Sequence, residues 1–284
     1  MIIDIIEQAS VFIPFAFGVF ISYRFLRIAD LTVDGSYVLG AGTYAKCLLL
    51  GLHPILAVLL AMVAGALAGC GVAAIQRKGR IDPLIAGILA LFILQSVNLM
   101  VMGRPNLNLL GLDTALAGMI SPVLLVSTVA LIVLAGLGLG LDTLFGLRLR
   151  AFGDNASLLG RQGCNIEAYR TAGLVLSNAL VALAGCMAAE VHGYADVRMG
   201  TGMVLIAIGT VLIGAQLFTF LNGERRARTI VELVCCMGGV VLYFTVVNVL
   251  VGMGVEPVLL KMVMGLVLIG FLFSGAQRRQ EAFA

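Results

Sequence analysis

Apolar residues run continuously along this chain, in neither the period-two alternation of a strand nor the single stripe of a surface helix. Nearly charge-free stretches recur, each close to the roughly 20 residues a helix needs to cross about 30 Å of hydrocarbon. They predict nine membrane spans: 5–23, 31–50, 54–76, 83–102, 120–141, 171–189, 204–221, 233–251 and 258–274. The second is the weakest, because Asp34 and Lys46 interrupt it, and the ninth is short; eight spans is the next count. The expected fold is therefore an all-α polytopic helical bundle of about 8–9 spans, in one transmembrane domain over residues 1–284.

Charge placement orients this map. Of the 18 Lys and Arg, all but Lys46, Arg104, Arg198 and Lys261 fall on one side of it. Basic loops stay cytoplasmic. The expectation is an N-terminus outside, a C-terminus in the cytoplasm, the 148–170 loop inside, and the 103–119 and 193–202 loops outside.

Composition narrows the class further. Hydrophobic residues are 61%, charged residues 12%, and mean hydropathy is +1.10. Soluble domains sit near 45–50% and 25%, so a soluble enzyme, a disordered chain and a nucleic-acid binder are excluded. The six cysteines form no C-x-x-C pair, and two histidines cannot complete a zinc spacing. No metal or cofactor is expected. No glycine precedes a lysine, so the chain lacks the G-x-x-x-x-G-K-[ST] loop of an ATPase.

Glycine numbers 35, as close helix packing in lipid favours. Gly65 with Gly69, and Gly136 with Gly140, have G-x-x-x-G spacing. The word Ala-Leu-Ala-Gly-Cys occurs at 66–70 and 182–186, in spans of opposite sense, as an inverted repeat would place it.

Two segments offer chemistry. Residues 145–169 form the longest inside segment. Asp154 or Asn155 can cap a short helix over 156–162 and Gly163 can end it, exposing Leu158, Leu159 and Arg161. That segment is either a solvated loop or a docking helix. Residues 30–37 open the second span with Asp30, Thr32, Asp34, Gly35 and Ser36. They form either a helix cap at an interface or part of a gated pathway. Gln95, Ser96, Asn98, Ser177, Asn178, Glu190 and Asn248 are further polar positions within spans. Arg104, Asn106, Asp196 and Arg198 lie on the outer face, as capped turns or as contacts for an external partner.

Taken together, several segments are familiar. They are 30–37 (DLTVDGSY), 84–89 (LIAGIL) with Asn98, 103–106 (GRPN), 149–155 (LRAFGDN) with Gly163 and Asn165, 176–185 (LSNALVALAG), 193–202 (GYADVRMGTG) and 209–214 (GTVLIG). In this order the chain resembles the permease subunits of bacterial ATP-binding-cassette importers of the branched-chain amino acid and ribose class. It is most similar to the branch associated with tryptophan and tyrosine.

The resemblance implies a homodimer in the bacterial inner membrane, with the pathway at the dimer axis, moving a small solute such as an amino acid inward. It implies Asp34, Gly35, Ser36, Asn98, Ser177 and Asn178 as pathway or gate. Cytoplasmic ATPase subunits, which bind the ATP and Mg, would seat on a coupling segment within 146–169, through Arg150, Gly153, Asp154, Asn155, Leu158 and Gly163. A substrate-binding protein would dock near Arg104, Asn106, Asp196 and Arg198. Ala156, Gln162 and Cys164 depart from the Pro, Leu and Ile usual there and make that face more polar. The competing class is a stand-alone carrier driven by an ion gradient, with Asp34 and Glu190 as its ion-site candidates; a third is a membrane scaffold or receptor.

Overall fold

Prolines and glycines punctuate the helices. Pro54 and Pro83 start two of them with φ already set. The residues before each proline cap it: His53 Nδ1 accepts from the Ile55 N–H (3.4 Å) and Asp82 Oδ1 from the Leu84 N–H (2.9 Å). Gly103 and Gly193, both at φ 73°, end two others in the left-handed conformation.

The computed structural model describes residues 2–79, 81–112, 114, 122–222 and 228–255, with Met262 and Gly265. Its helices are α1 (Ile2–Val19, continued by a π-turn over Phe20–Phe25), α2 (Thr32–Leu49), α3 (Pro54–Ile75), α4 (Pro83–Met102), α5 (Pro122–Leu141), α6 (Leu144–Arg161), α7 (Ile166–His192), α8 (Met203–Asn222) and α9 (Thr229–Gly252). Two short strands, β1 (Asn106–Asn108) and β2 (Tyr194–Asp196), pair antiparallel.

Among the described residues, seven helices are long and apolar enough to cross a membrane: α1 with its π-turn, α3, α4, α5, α7, α8 and α9. The predicted 31–50 span forms a helix, α2, but its polar residues keep it out of that set. The reason is its position. All its residues but Thr43, Lys46 and Leu49 are buried, packed among α3, α4 and α7. It is shielded from lipid by its neighbours. The predicted 171–189 span extends to Ile166–His192, because the polar first turn is capped by Asn165 rather than ended by it. The predicted 258–274 span and the start of the 120–141 span lie outside the described residues.

Burial divides the bundle into layers. In the most apolar window of α1 and of α7, 83% and 78% of residues are buried; in α3, α4 and α5 the share is 22–28%. The outer helices present Leu59, Leu67, Phe92, Ile93, Leu131 and Ile132 to the exterior. The core joins α1, α2 and α7, where backbones nearly touch. A Cβ at Gly40 would overlap Ala182, and one at Gly185 would overlap the Tyr37 carbonyl. Gly40 faces Ala182 and Tyr44 reaches Glu190, so α2 and α7 run in the same sense. Gly65 faces Asn178 and Ala182 while Gly69 faces Leu174, so α3 runs opposite to α7. The two Ala-Leu-Ala-Gly-Cys words thus lie on antiparallel helices that pack on each other.

Candidate transport and coupling sites

The α1–α2 turn carries Asp30 into the core. Its Oδ1 accepts the Thr32 N–H at 2.9 Å and its Oδ2 accepts from Asn178 Nδ2 at 3.0 Å. Burial pushes this carboxyl above its ordinary range, and the hydrogen bonds from Thr32 and Asn178 pull the other way. Asn178 also donates to the Leu174 carbonyl (2.9 Å) and accepts from Ser36 Oγ (2.6 Å). Asn98 Nδ2 reaches the Gly35 carbonyl (3.0 Å), tying α4 to α2. Ser177 Oγ reaches the Gly18 carbonyl (2.8 Å), tying α7 to α1.

Asp34 binds across the bundle. Its Oδ2 accepts the Gly202 N–H (3.0 Å) and its Oδ1 the Val204 N–H (2.7 Å), satisfying the open first turn of α8 from across the bundle. The structure therefore brings Asp34, Gly35, Ser36, Asn98, Ser177 and Asn178 together at one level of the core. All are buried, and except for the Asn178–Leu174 bond within α7 the hydrogen bonds named here join separate elements. Glu190 is elsewhere, accepting from the Tyr44 hydroxyl. Asn248 donates to Gln8 and to the Phe244 carbonyl. Gln95 and Ser96 stand apart: near the middle of α4, they are exposed on a face shared with Phe92, Ile93 and Leu99.

At the α6 end, the chain bends at Asn155 (φ −160°, ψ 89°), separating a long helix from a short one. Asn155 Oδ1 caps the short helix, accepting the Leu158 N–H (3.0 Å) and the Ser157 hydroxyl (2.7 Å). Gly163, at φ 78°, ends it. The Gly163 N–H bonds to the Gly160 carbonyl (3.0 Å) and the Cys164 N–H to the Leu159 carbonyl (3.3 Å), the Schellman pattern. Leu158 is 53% exposed, with Arg161 beside it exposed as well. Leu159, expected outside, is buried, because the helix lies on its own hairpin and turns that residue inward.

The other predicted coupling residues tie the segment to the bundle. Gly153 packs against the Phe25 carbonyl so closely that a Cβ would overlap it. Asp154 pairs with Arg27 of the α1–α2 turn. Arg150 pairs with Glu232 of α9 (2.8 Å) and lies over the Phe25 ring (4.6 Å to its centre). The segment thus has a root fixed to the bundle and an open tip.

The opposite end of α7 carries the third group. Asn106 and Asp196 are register partners in the strand pair, and Asn106 Nδ2 donates to Asp196 Oδ2 (3.1 Å). Asp196 Oδ1 accepts the Arg198 N–H (2.8 Å). Arg104 and Arg198 are exposed beside this pair. Sequence reading placed all four residues on one face but missed the strands; three residues are too few to show a period. Among the described residues, no cluster of His, Cys, Asp and Glu could hold a metal ion.

These features define a polytopic helical membrane protein with a hydrogen-bonded core and a cap-and-stop helix at one end. The model of the branched-chain amino acid transport system / permease component family matches residues 1–272, and the chain belongs to that family. The uncharacterized protein RP368 of Rickettsia prowazekii (strain Madrid E) is 40% identical, over 99% of both chains. The tyrosine transport system permease protein of Clostridioides difficile (strain R20291) is 33% identical, over 96% of this chain and 91% of its own. Among solved structures, PsaBC from Streptococcus pneumoniae in complex with Fab covers 84% of this chain and 88% of its own, at 14% identity and a TM-score of 0.46. The chain is a multi-pass permease subunit of an ABC-type transport system.

Proposed function

We propose that this subunit imports an amino acid, an aromatic one, as a homodimer driven by separate ATPase subunits. The observation that carries the coupling is the segment from Asn155 to Gly163: capped, stopped, fixed at its root and open at Leu158 and Arg161. A cytoplasmic ATPase subunit would seat there. A substrate-binding protein would meet Arg104, Asn106, Asp196 and Arg198 at the other end. The aromatic substrate follows from the similarity to the tyrosine permease protein.

The contacts offer a route for coupling. The α6 root touches the α1–α2 turn at Phe25 and Arg27. That turn carries Asp30, which holds Asn178; Asn178 holds Ser36, two residues from Asp34, which caps α8. A shift of the docking helix therefore bears on α8 through a chain of packed and hydrogen-bonded groups. ATP binding acts as a free-energy bias between two arrangements of that chain. In this reading Asp34, Gly35, Ser36, Asn98, Ser177 and Asn178 set the gate by holding helices, and the pathway lies at the dimer axis. Gln95 and Ser96 fit such an axis, because polar groups at membrane depth face protein or water rather than lipid.

The test is purification of the tagged chain from its native membrane in mild detergent, with mass spectrometry of its companions. A stoichiometric P-loop ATPase supports the proposal. A stable chain that comes alone contradicts it.

A further inference from the structure

At the β1–β2 end of the bundle a cavity of about 480 Å³ opens between the first turns of α1, the last turn of α7, the start of α8 and α9. Asp4 and Glu7 of α1, Tyr37 of α2, His192 of α7 and the rings of Phe12 and Phe244 are part of its lining. Its volume falls within the range of about 300–1,000 Å³ typical of small-molecule sites. It is distinct from the hydrogen-bonded gate residues and from the exposed face of α4.

We propose that this cavity binds a small molecule in which a primary ammonium is joined to an aromatic ring. This rests on the reading of the chain as an aromatic amino acid permease, and it names where that substrate is first held within one protomer, ahead of the pathway at the dimer axis.

Three observations carry it. The first is charge: the lining holds the carboxylate of Glu7 and neither lysine nor arginine, so it attracts a cation. The second is a prebuilt aromatic wall. Phe12 meets Phe244 edge-on (5.5 Å between ring centres) and stacks on Phe15 (5.2 Å), which meets Tyr37 edge-on (5.3 Å). An entering ring finds these edges and faces already fixed, and an ammonium finds ring faces as well as that carboxylate. The third is Tyr37 itself. It is 4% exposed and lines the cavity, where its hydroxyl can donate to what enters. With His192 it offers a donor to the carboxylate of an amino acid. The cavity adjoins β2 through His192, on the end where the delivering protein is proposed to dock.

The chain contains no tryptophan, so L-tryptophan can be its own reporter against a silent background. The full chain in lipid nanodiscs is titrated with L-tryptophan, tryptamine and indole-3-propionate, and the emission of the indole is followed. The expected result is a saturable blue shift with L-tryptophan and tryptamine and none with indole-3-propionate, which lacks the ammonium. Glu7→Gln, at the cavity rim, weakens binding about tenfold, a loss of about 1.4 kcal/mol. Tyr37→Phe weakens it by a smaller factor, with melting temperatures reporting that both variants fold. A shift that is equal for tryptamine and indole-3-propionate, or unchanged in Glu7→Gln, overturns the proposal. So does the absence of a saturable shift while the assembled transporter imports tyrosine or tryptophan, and that result leaves the transport reading intact. Failure of the assembled transporter to import any aromatic amino acid overturns the transport reading itself.

Discussion

Asp34 and Val204 lie 170 residues apart in sequence, yet the carboxylate of one accepts the backbone N–H of the other at 2.7 Å. This bond closes the first turn of α8 with a side chain from α2. Losing a helix cap costs about 0.5–2 kcal/mol. Asp34→Ala should therefore destabilise the protein by about 1–2 kcal/mol, and Asp34→Asn by less, since it keeps one acceptor. Unfolding in detergent measures the first part; uptake measures the second, because a loosened α8 should slow transport in the fraction that stays folded. Full stability and full uptake in Asp34→Ala would remove Asp34 from both roles.

Asn178 joins three partners in the core, Asp30, Ser36 and the Leu174 carbonyl. Asn178→Ala leaves the Asp30 carboxyl and the Ser36 hydroxyl buried without it, at about 1–3 kcal/mol. Asn178→Asp is nearly isosteric but sets a second carboxyl against Asp30, and should be worse than alanine. Melting temperatures of the two variants check the order; the reverse order would mean that the Asp30 contact is not what Asn178 supplies.

Gly153 has no room for a side chain beside Phe25. Gly153→Val should push the docking segment off the bundle. The protein should still insert, while ATP hydrolysis by the partner subunits loses its link to uptake. The ratio of substrate moved to ATP hydrolysed is the measurement, and an unchanged ratio would refute the coupling role.

Asp30 predicts a pH effect of known sign. Its carboxyl is held above the ordinary value of 3.8 by burial. As pH rises, the unfolded chain gives up this proton before the folded one, so between the two values the unfolded state binds fewer protons. Stability contributed by the protonated group is thus complete below 3.8 and lost as pH rises through the folded value. Melting of the wild type minus that of Asp30→Asn, followed upward from about pH 4, should fall with pH; a flat difference would contradict the burial argument.

Much of this was legible in the residues because lipid imposes a simple rule on length and polarity. Seven predicted spans meet that rule in the structure. The short helix after Asn155 was readable too, since an Asn cap and a Gly stop act locally, within one turn. What the residues could not show was pairing at a distance. Asp30 accepts the Thr32 N–H at the start of α2, as its spacing predicts, but nothing in the sequence shows that Asp34 caps α8. The two G-x-x-x-G words look alike, but Gly65 and Gly69 press on α7 while Gly136 and Gly140 meet nothing within 4 Å. Leu159 reads as exposed but is buried, because the direction of the short helix depends on the hairpin beneath it. Each of these is set by which helix lies alongside, and periodicity within one segment carries no record of its neighbour.

ATP is proposed to drive this permease through the helix capped by Asn155. The direct measurement is uptake of radiolabelled tyrosine into proteoliposomes holding the permease and its ATPase, with substrate-binding protein outside and ATP sealed within. The expected result is uptake that requires ATP, survives ionophores that collapse proton and sodium gradients, and is lost in Gly153→Val. Uptake that persists without ATP and vanishes with the gradients would contradict it.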